Sequence, residues 1–155
     1  MPSRRRRLLT PAASECKRRL QHGLGLEENA ALPVFAMASR LVEQKGIDLV
    51  LAGEMIPRLD AQWVFLGEGE ARYRDALAGL AAAFPGRVAC NFEFTHEFEH
   101  KLLGGADYLL MPSLYEPCGL TQMRAQRYGV VPVVRKVGGL ADTVVDGVTG
   151  FVFDQ

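Results

Sequence analysis

Short apolar runs alternate with helix-patterned segments along most of this chain, and that alternation constrains the fold more than any other feature. Residues 33–39, 63–66, 87–92, 108–111, 130–134 and 150–153 each read as a strand. Between the first two, Ile47, Val50, Leu51, Met55 and Leu59 recur at helical spacing and predict a helix over 47–59. An alanine-rich helix over 71–84 is stopped by Pro85 and Gly86. Residues 97–103 form a short helix closed by Gly104 and Gly105, and 120–128 a helix stopped by Gly129. A further short helix covers 140–145, and a helical lead-in is expected over 17–24. Strands that alternate with helices build βαβ units, hence an α/β fold with a parallel sheet of about six strands. Near-continuous apolar strands need helices on both faces of that sheet. The crossovers are expected to be right-handed.

The 155 residues suffice for one domain with a substantial core; a domain of this size buries roughly 70% of the surface its unfolded chain exposes. The zero net charge hides an uneven spread. Residues 1–22 hold seven of the 18 basic residues, four of them the run Arg4–Arg7, with Glu15 as their one acid. The remainder keeps 11 basic and 17 acidic residues, a net of −6, so the body of the chain offers no electrostatic footprint for nucleic acid. Residues 1–14 read as a disordered or cloning-derived basic start, and 15–155 as the domain proper. Cys16, Cys90 and Cys118 are widely spaced and include no CxxC pair, which argues against zinc and fits a reducing cytoplasm. No apolar run reaches the length of a membrane span.

The densest chemistry lies in Tyr115-Glu-Pro-Cys-Gly-Leu-Thr-Gln122, where the strand over 108–111 gives way to a helix. Ligands of parallel sheets bind at that edge. The free amides of a helix start suit an anion such as phosphate, and Glu116 beside them suits sugar hydroxyls. The pattern suggests a sugar-phosphate or nucleotide-sugar site. The alternative for Glu116 is a buried ion-pair partner, but its position just before a glycine-bearing helix start favours the ligand role. Cys118 has no neighbouring histidine to activate it and reads as a small packed residue.

Other loops at strand ends carry similar signals. Arg40 and Lys45 follow the first strand and either reach one anion together or face solvent. Gly67-Glu-Gly69 allows a close backbone approach to a ligand, or is a plain tight turn. It lacks the full GxGxxG pattern and follows the second strand, which counts against a nicotinamide or flavin dinucleotide fold. Phe94 either stacks on a nucleobase or packs at the core rim. His96 and His100 stand at i,i+4 spacing, but the HExxH pattern is absent, so surface or capping roles are expected. Gly138 and Gly139 let the backbone pass close to a ligand and start another helix, whose first turn Asp142 is expected to cap or charge.

Taken in order, Ser39-Arg-Leu, Gln44-Lys-Gly-Ile-Asp-Leu49, Gly104-Gly-Ala-Asp107, Pro112-Ser113, Glu116-Pro-Cys-Gly-Leu-Thr-Gln122, Arg127-Tyr-Gly129 and Gly138-Gly-Leu-Ala-Asp-Thr-Val144 give the chain its family likeness. It resembles the C-terminal, nucleotide-sugar-binding domain of bacterial glycogen synthase and plant starch synthase, retaining glucosyltransferases of the two-domain GT-B fold. The likeness runs from about residue 16 to 153. It implies a Rossmann-like domain, ADP-glucose or ADP as the small-molecule ligand, an α-1,4-glucan acceptor, retention of configuration, and neither metal nor other cofactor. It implies a cytoplasmic enzyme, or a plastid one in a plant or alga. By this likeness Arg40, Lys45 and Glu116 are the catalytic group. The two cations neutralise the leaving diphosphate, and Glu116 holds glucose hydroxyls. Phe94 takes the place of an adenine-stacking tyrosine, while Cys118, Gly119, Leu120, Thr121, Gly138 and Gly139 complete the donor site.

The chain also departs from the family pattern. Related enzymes carry Glu-x7-Glu, but the second position here is Arg124, where glycogen synthases usually have tyrosine; the ribose contact is left open. Val130 replaces a usual threonine, and the segment 146–150 is shorter than the family's common insert. The family's N-terminal domain, with its Lys-x-Gly-Gly-Leu loop, is not in the sequence. The chain alone is therefore expected to bind donor weakly and not to synthesise glucan. The alternatives are the donor half of a transferase that uses a UDP-sugar, and a non-catalytic nucleotide-binding module.

Overall fold

The computed structural model describes residues 10–154. Its strands are β1 (Val34–Ala38), β2 (Gln62–Leu66), β3 (Val88–Asn91), β4 (Tyr108–Met111), β5 (Val131–Arg135) and β6 (Phe151–Phe153). They form one sheet in the order β3-β2-β1-β4-β5-β6, with every neighbouring pair parallel. The order reverses between β1 and β4, which leaves a crevice beyond their carboxyl ends.

Helices cover both faces, as the apolar strands require. α1 (Pro11–Gly23), α5 (His96–Gly105), α6 (Thr121–Arg127) and α7 (Gly138–Thr143) send Leu20, Leu102, Leu103, Ala125 and Leu140 into one core with Ala36, Val64, Leu66 and Leu109. α2 (Ile47–Ala52), α3 (Met55–Arg58) and α4 (Ala71–Ala83) contribute Ile47, Val50, Ile56, Tyr73 and Leu77 to a second core with Met37, Trp63 and Phe65. Alternate residues of β1 and β2 thus feed opposite faces, the period-two consequence of the pleat. Pro132 is tolerated inside the sheet for the same reason. Val131 donates to the Asp107 carbonyl, so the next residue turns its nitrogen toward β6, where pairing starts only at Val133.

Several boundaries differ from the expectations. The helix over 47–59 is two helices, broken where Glu54 takes a left-handed conformation with φ of 47° after Gly53. The lead-in helix starts at Pro11 rather than 17, with Thr10 capping the Ala13 amide at 3.2 Å, so residues 11–14 are helical. The arginine run Arg4–Arg7 lies outside the described residues. A 3-10 turn at Glu43–Lys45 precedes α2. Asp142 lies near the end of α7 and is exposed, so it neither caps nor charges that helix's first turn.

At the amino end of the sheet a buried ion pair ties α1 to the β1–β4 seam. Lys17, 3% exposed, donates to Asp107 Oδ2 at 2.7 Å and to the Leu32 and Ala30 carbonyls at 2.6 and 3.2 Å. The same Asp107 oxygen accepts the Val34 amide at 2.8 Å. The Gly105 that precedes it packs α5 on α1, because a β-carbon there would meet Leu20 at 2.8 Å. The Gly104-Gly-Ala-Asp107 motif is accordingly structural in this fold. Removing one member of a buried, hydrogen-bonded pair leaves an uncompensated charge and costs about 3–5 kcal/mol. Asp107→Ala is expected to lower the unfolding free energy by about that much in urea titrations; a loss within 1 kcal/mol would show that the pair adds little.

Candidate functional site

Three loops converge at the carboxyl edge. The loop after β1 carries Ser39, Arg40 and Lys45, and the loop after β4 carries Ser113 and Glu116. Lys45 Nζ donates to Glu116 Oε2 at 2.5 Å, with both side chains largely enclosed, at 15% and 10% exposure. Ser113 Oγ approaches the same oxygen at 3.4 Å. The backbones are joined as well: the Leu114 amide donates to the Gln44 carbonyl at 2.9 Å, and Gln44 Nε2 donates to the Tyr115 carbonyl at 2.9 Å. Gly46 makes this join possible. It has φ of 71°, and a β-carbon on it would fall 2.0 Å from the Pro112 carbonyl oxygen.

The loop before α7 supports Glu116 from the other side. The Gly139 amide donates to the Glu116 carbonyl at 3.0 Å. A β-carbon on Gly138 would meet that carbonyl oxygen at 2.1 Å, and one on Gly139 would meet the Cys118 carbonyl oxygen at 2.1 Å. Gln122, fully buried, holds the far end of the loop through the Cys118 and Gly119 carbonyls at 3.2 and 2.8 Å and Thr143 Oγ1 at 3.0 Å. Gly138 and Gly139 therefore approach the protein's own backbone. Gly67 and Gly69 do the same with Ser39 and Leu41, where the Leu41 amide donates to the Glu68 carbonyl at 2.7 Å.

Two adjoining clefts open above these loops. The inner one, about 170 Å³, is lined by Arg40, Lys45, Ser113, Glu116, Gly119, Leu120 and Thr121. The outer one, about 560 Å³, shares Arg40, Glu116, Gly119, Leu120 and Thr121 and extends past Glu68 to Phe94, Glu99 and Arg124. The structure thus brings together the two cations, the carboxylate, the opening residues of α6 and the aromatic. Among the described residues no side chain caps α6. Phe94 is 40% exposed, and its amide is fixed by Glu68 Oε1 at 3.0 Å.

Other residues singled out in the sequence fall elsewhere. Cys118 lines neither cleft, and Gly138 and Gly139 stand behind the Glu116 loop. His100 Nδ1 pairs with the Tyr128 hydroxyl at 2.8 Å, and His96 packs edge-on against Phe94. Sequence reasoning missed Glu99, Ser113 and Glu68. Glu99 gives no signal in the sequence, because it sits within a helix between other charged residues. Only the fold turns it toward the cleft.

A family model described as "Glycosyl transferases group 1" matches residues 25–155. A protein of Nitrosococcus oceani described as glycogen synthase 2 is 47% identical over 148 residues, which cover 88% of this chain and 30% of that protein. The catalytic domain of starch synthase IV from Arabidopsis thaliana, solved bound to ADP and acarbose, superposes with a TM-score of 0.83 at 33% identity. The match covers 92% of this chain and 32% of that one. Sucrose-phosphate synthase of Thermosynechococcus elongatus superposes with a TM-score of 0.71 at 26% identity, over 89% of this chain and 35% of that one. The chain spans about a third or less of the length of these relatives.

The packing of Gly139 yields a direct test. Gly139→Ala places a methyl group against the Cys118 backbone, which cannot yield as a side-chain tip would. It is expected to cost about 1–3 kcal/mol, read by thermal unfolding. An unchanged melting temperature would mean that the two loops are not held in this contact.

Proposed function

We propose, for a chain that belongs to the group 1 glycosyl transferases, that it is the donor-binding half of an ADP-glucose-dependent glycogen or starch synthase. The observation that carries the reading is the Lys45–Glu116 pair in the inner cleft with Arg40 on the same wall. One cleft then offers cations for a diphosphate and a carboxylate for sugar hydroxyls. The 47% identity to a glycogen synthase over most of the chain supports glucan synthesis over other transfers. The relative solved with ADP supports an adenine nucleotide.

In this reading Arg40 and Lys45 neutralise the charge that develops on the diphosphate as the glucosyl bond breaks. Fixed cations in an enclosed cleft act strongly there, because they need no reorganisation at the moment of reaction. Arg40 presents a planar fork and Lys45 a compact charge. Glu116 accepts hydrogen bonds from glucose hydroxyls, which orients the anomeric carbon. Phosphate oxygens take the amides of Gly119, Leu120 and Thr121, and Phe94 stacks on the base. Transfer to an α-1,4-glucan with retention needs donor and acceptor aligned in a closed cleft, so we place the acceptor side in a further domain. The setting we propose is cytoplasmic; among the described residues no helix is long and apolar enough to cross a membrane.

An NMR titration of the chain with ADP-glucose in EDTA tests the reading. The amides of Lys45, Gly119, Thr121 and Gly139 are expected to shift, and UDP-glucose at equal concentration is expected to leave them in place. An unchanged spectrum at millimolar ADP-glucose would sink the proposal. Equal shifts with both would favour a transferase of different donor, and shifts with nucleotide alone, blind to the sugar, a non-catalytic module. Lys45→Met removes a charged hydrogen-bond donor and is expected to weaken ADP binding about tenfold or more. Unaltered affinity would remove Lys45 from the site.

A further inference from the structure

The outer cleft holds a charged group that the donor reading has not used. Glu99, on α5, has a side chain only 2% exposed and lines the outer cleft together with Arg40 and Phe94. Its contacts fall on one oxygen. Arg124 Nη1 donates to Oε2 at 2.9 Å, and His96 Nδ1 lies 3.7 Å from the same atom. Among the described residues Oε1 has no hydrogen-bond partner. Oε1 is also not one of the fully enclosed unpartnered atoms, which are Trp63 Nε1 and Gln122 Oε1 among the described residues, so it keeps access to the cleft. It presents an acceptor to a ligand there.

The chemistry of that ligand follows from what flanks Glu99. The inner cleft carries Lys45 and shares Arg40 with the outer one, and suits phosphate. The outer cleft alone adds an exposed aromatic ring, Phe94, which suits a base, and the same added lining includes Glu99. In any nucleotide the sugar lies between phosphate and base. We propose that Glu99, oriented by Arg124, accepts hydrogen bonds from the vicinal hydroxyls of the ribose and so selects a ribonucleotide. Carboxylates take such hydroxyls in charge-assisted bonds. Arg124 is a positioning residue in this arrangement: it holds one oxygen and sets the direction of the other. The inference rests on the donor-site reading above.

Affinities of the chain for ADP and 2′-deoxy-ADP, measured by calorimetry in EDTA, test it. The unaltered protein is expected to bind ADP about tenfold more tightly than 2′-deoxy-ADP, the size expected for one hydrogen bond to a charged acceptor. Glu99→Gln is expected to weaken ADP until the two affinities are level. Arg124→Ala is expected to shrink the ratio, and Arg124→Lys to restore part of it. Equal affinities in the unaltered protein overturn this inference alone, and that comparison needs no variant to fold. A ratio that survives Glu99→Gln also overturns it, as does tighter binding of ADP bearing a 2′-phosphate than of ADP, which would make Arg124 the ligand group. Binding of neither nucleotide overturns the donor-site reading as well.

Discussion

The site depends on one join, between the loops that leave β1 and β4. These strands are neighbours at the point where the sheet order reverses, so their crossovers lead away in opposite directions and open a crevice. Gly46 against Pro112, the Gln44 bonds to the 114–115 backbone and the Lys45–Glu116 ion pair hold the two loops together. The ion pair also sets the chemistry. Its two charges are largely enclosed but still line the inner cleft, so a ligand with a phosphate and hydroxyls can take over partners that each already holds.

The two ends of the β1–β4 seam differ in how fully their charges are satisfied. At the amino end, Lys17 makes three hydrogen bonds and Asp107 accepts from both Lys17 and the Val34 amide. Charges this well satisfied gain nothing from a ligand, and they anchor α1 to the sheet. At the carboxyl end the charged groups are incompletely satisfied. Arg40 is exposed on the cleft wall, and among the described residues Glu99 keeps one oxygen without a hydrogen-bond partner.

Much of the fold was legible in the residues. The order of strands and helices, the parallel sheet and its two covered faces follow from apolar periodicity, and the structure has all three. The misjudged details were local conflicts that periodicity does not see. Apolar spacing from Ile47 to Leu59 continues through Gly53 and Glu54, but the backbone at Glu54 turns left-handed and ends the helix. Asp142 was placed in a first turn that starts earlier, at Gly138. The glycine pairs were recognised as points of close approach, but the partner in each case is the protein's own backbone. Glu99 was invisible, since a carboxylate on a helix reads as solvated until a neighbouring helix buries it.

The sequence by itself determined the layered α/β architecture, because burial of alternating strand faces and helical stripes is encoded in local period. It also determined that a carboxylate, two cations and a helix start stand at strand ends, because each lies within a few residues of the strand it follows. Only the tertiary structure decided which of them meet. Lys45 reaches Glu116 across 71 positions and Arg124 reaches Glu99 across 25. Those pairings depend on the sheet order 3-2-1-4 and on helix packing over the β4–β5 edge, which are set by how the two cores close rather than by any segment alone.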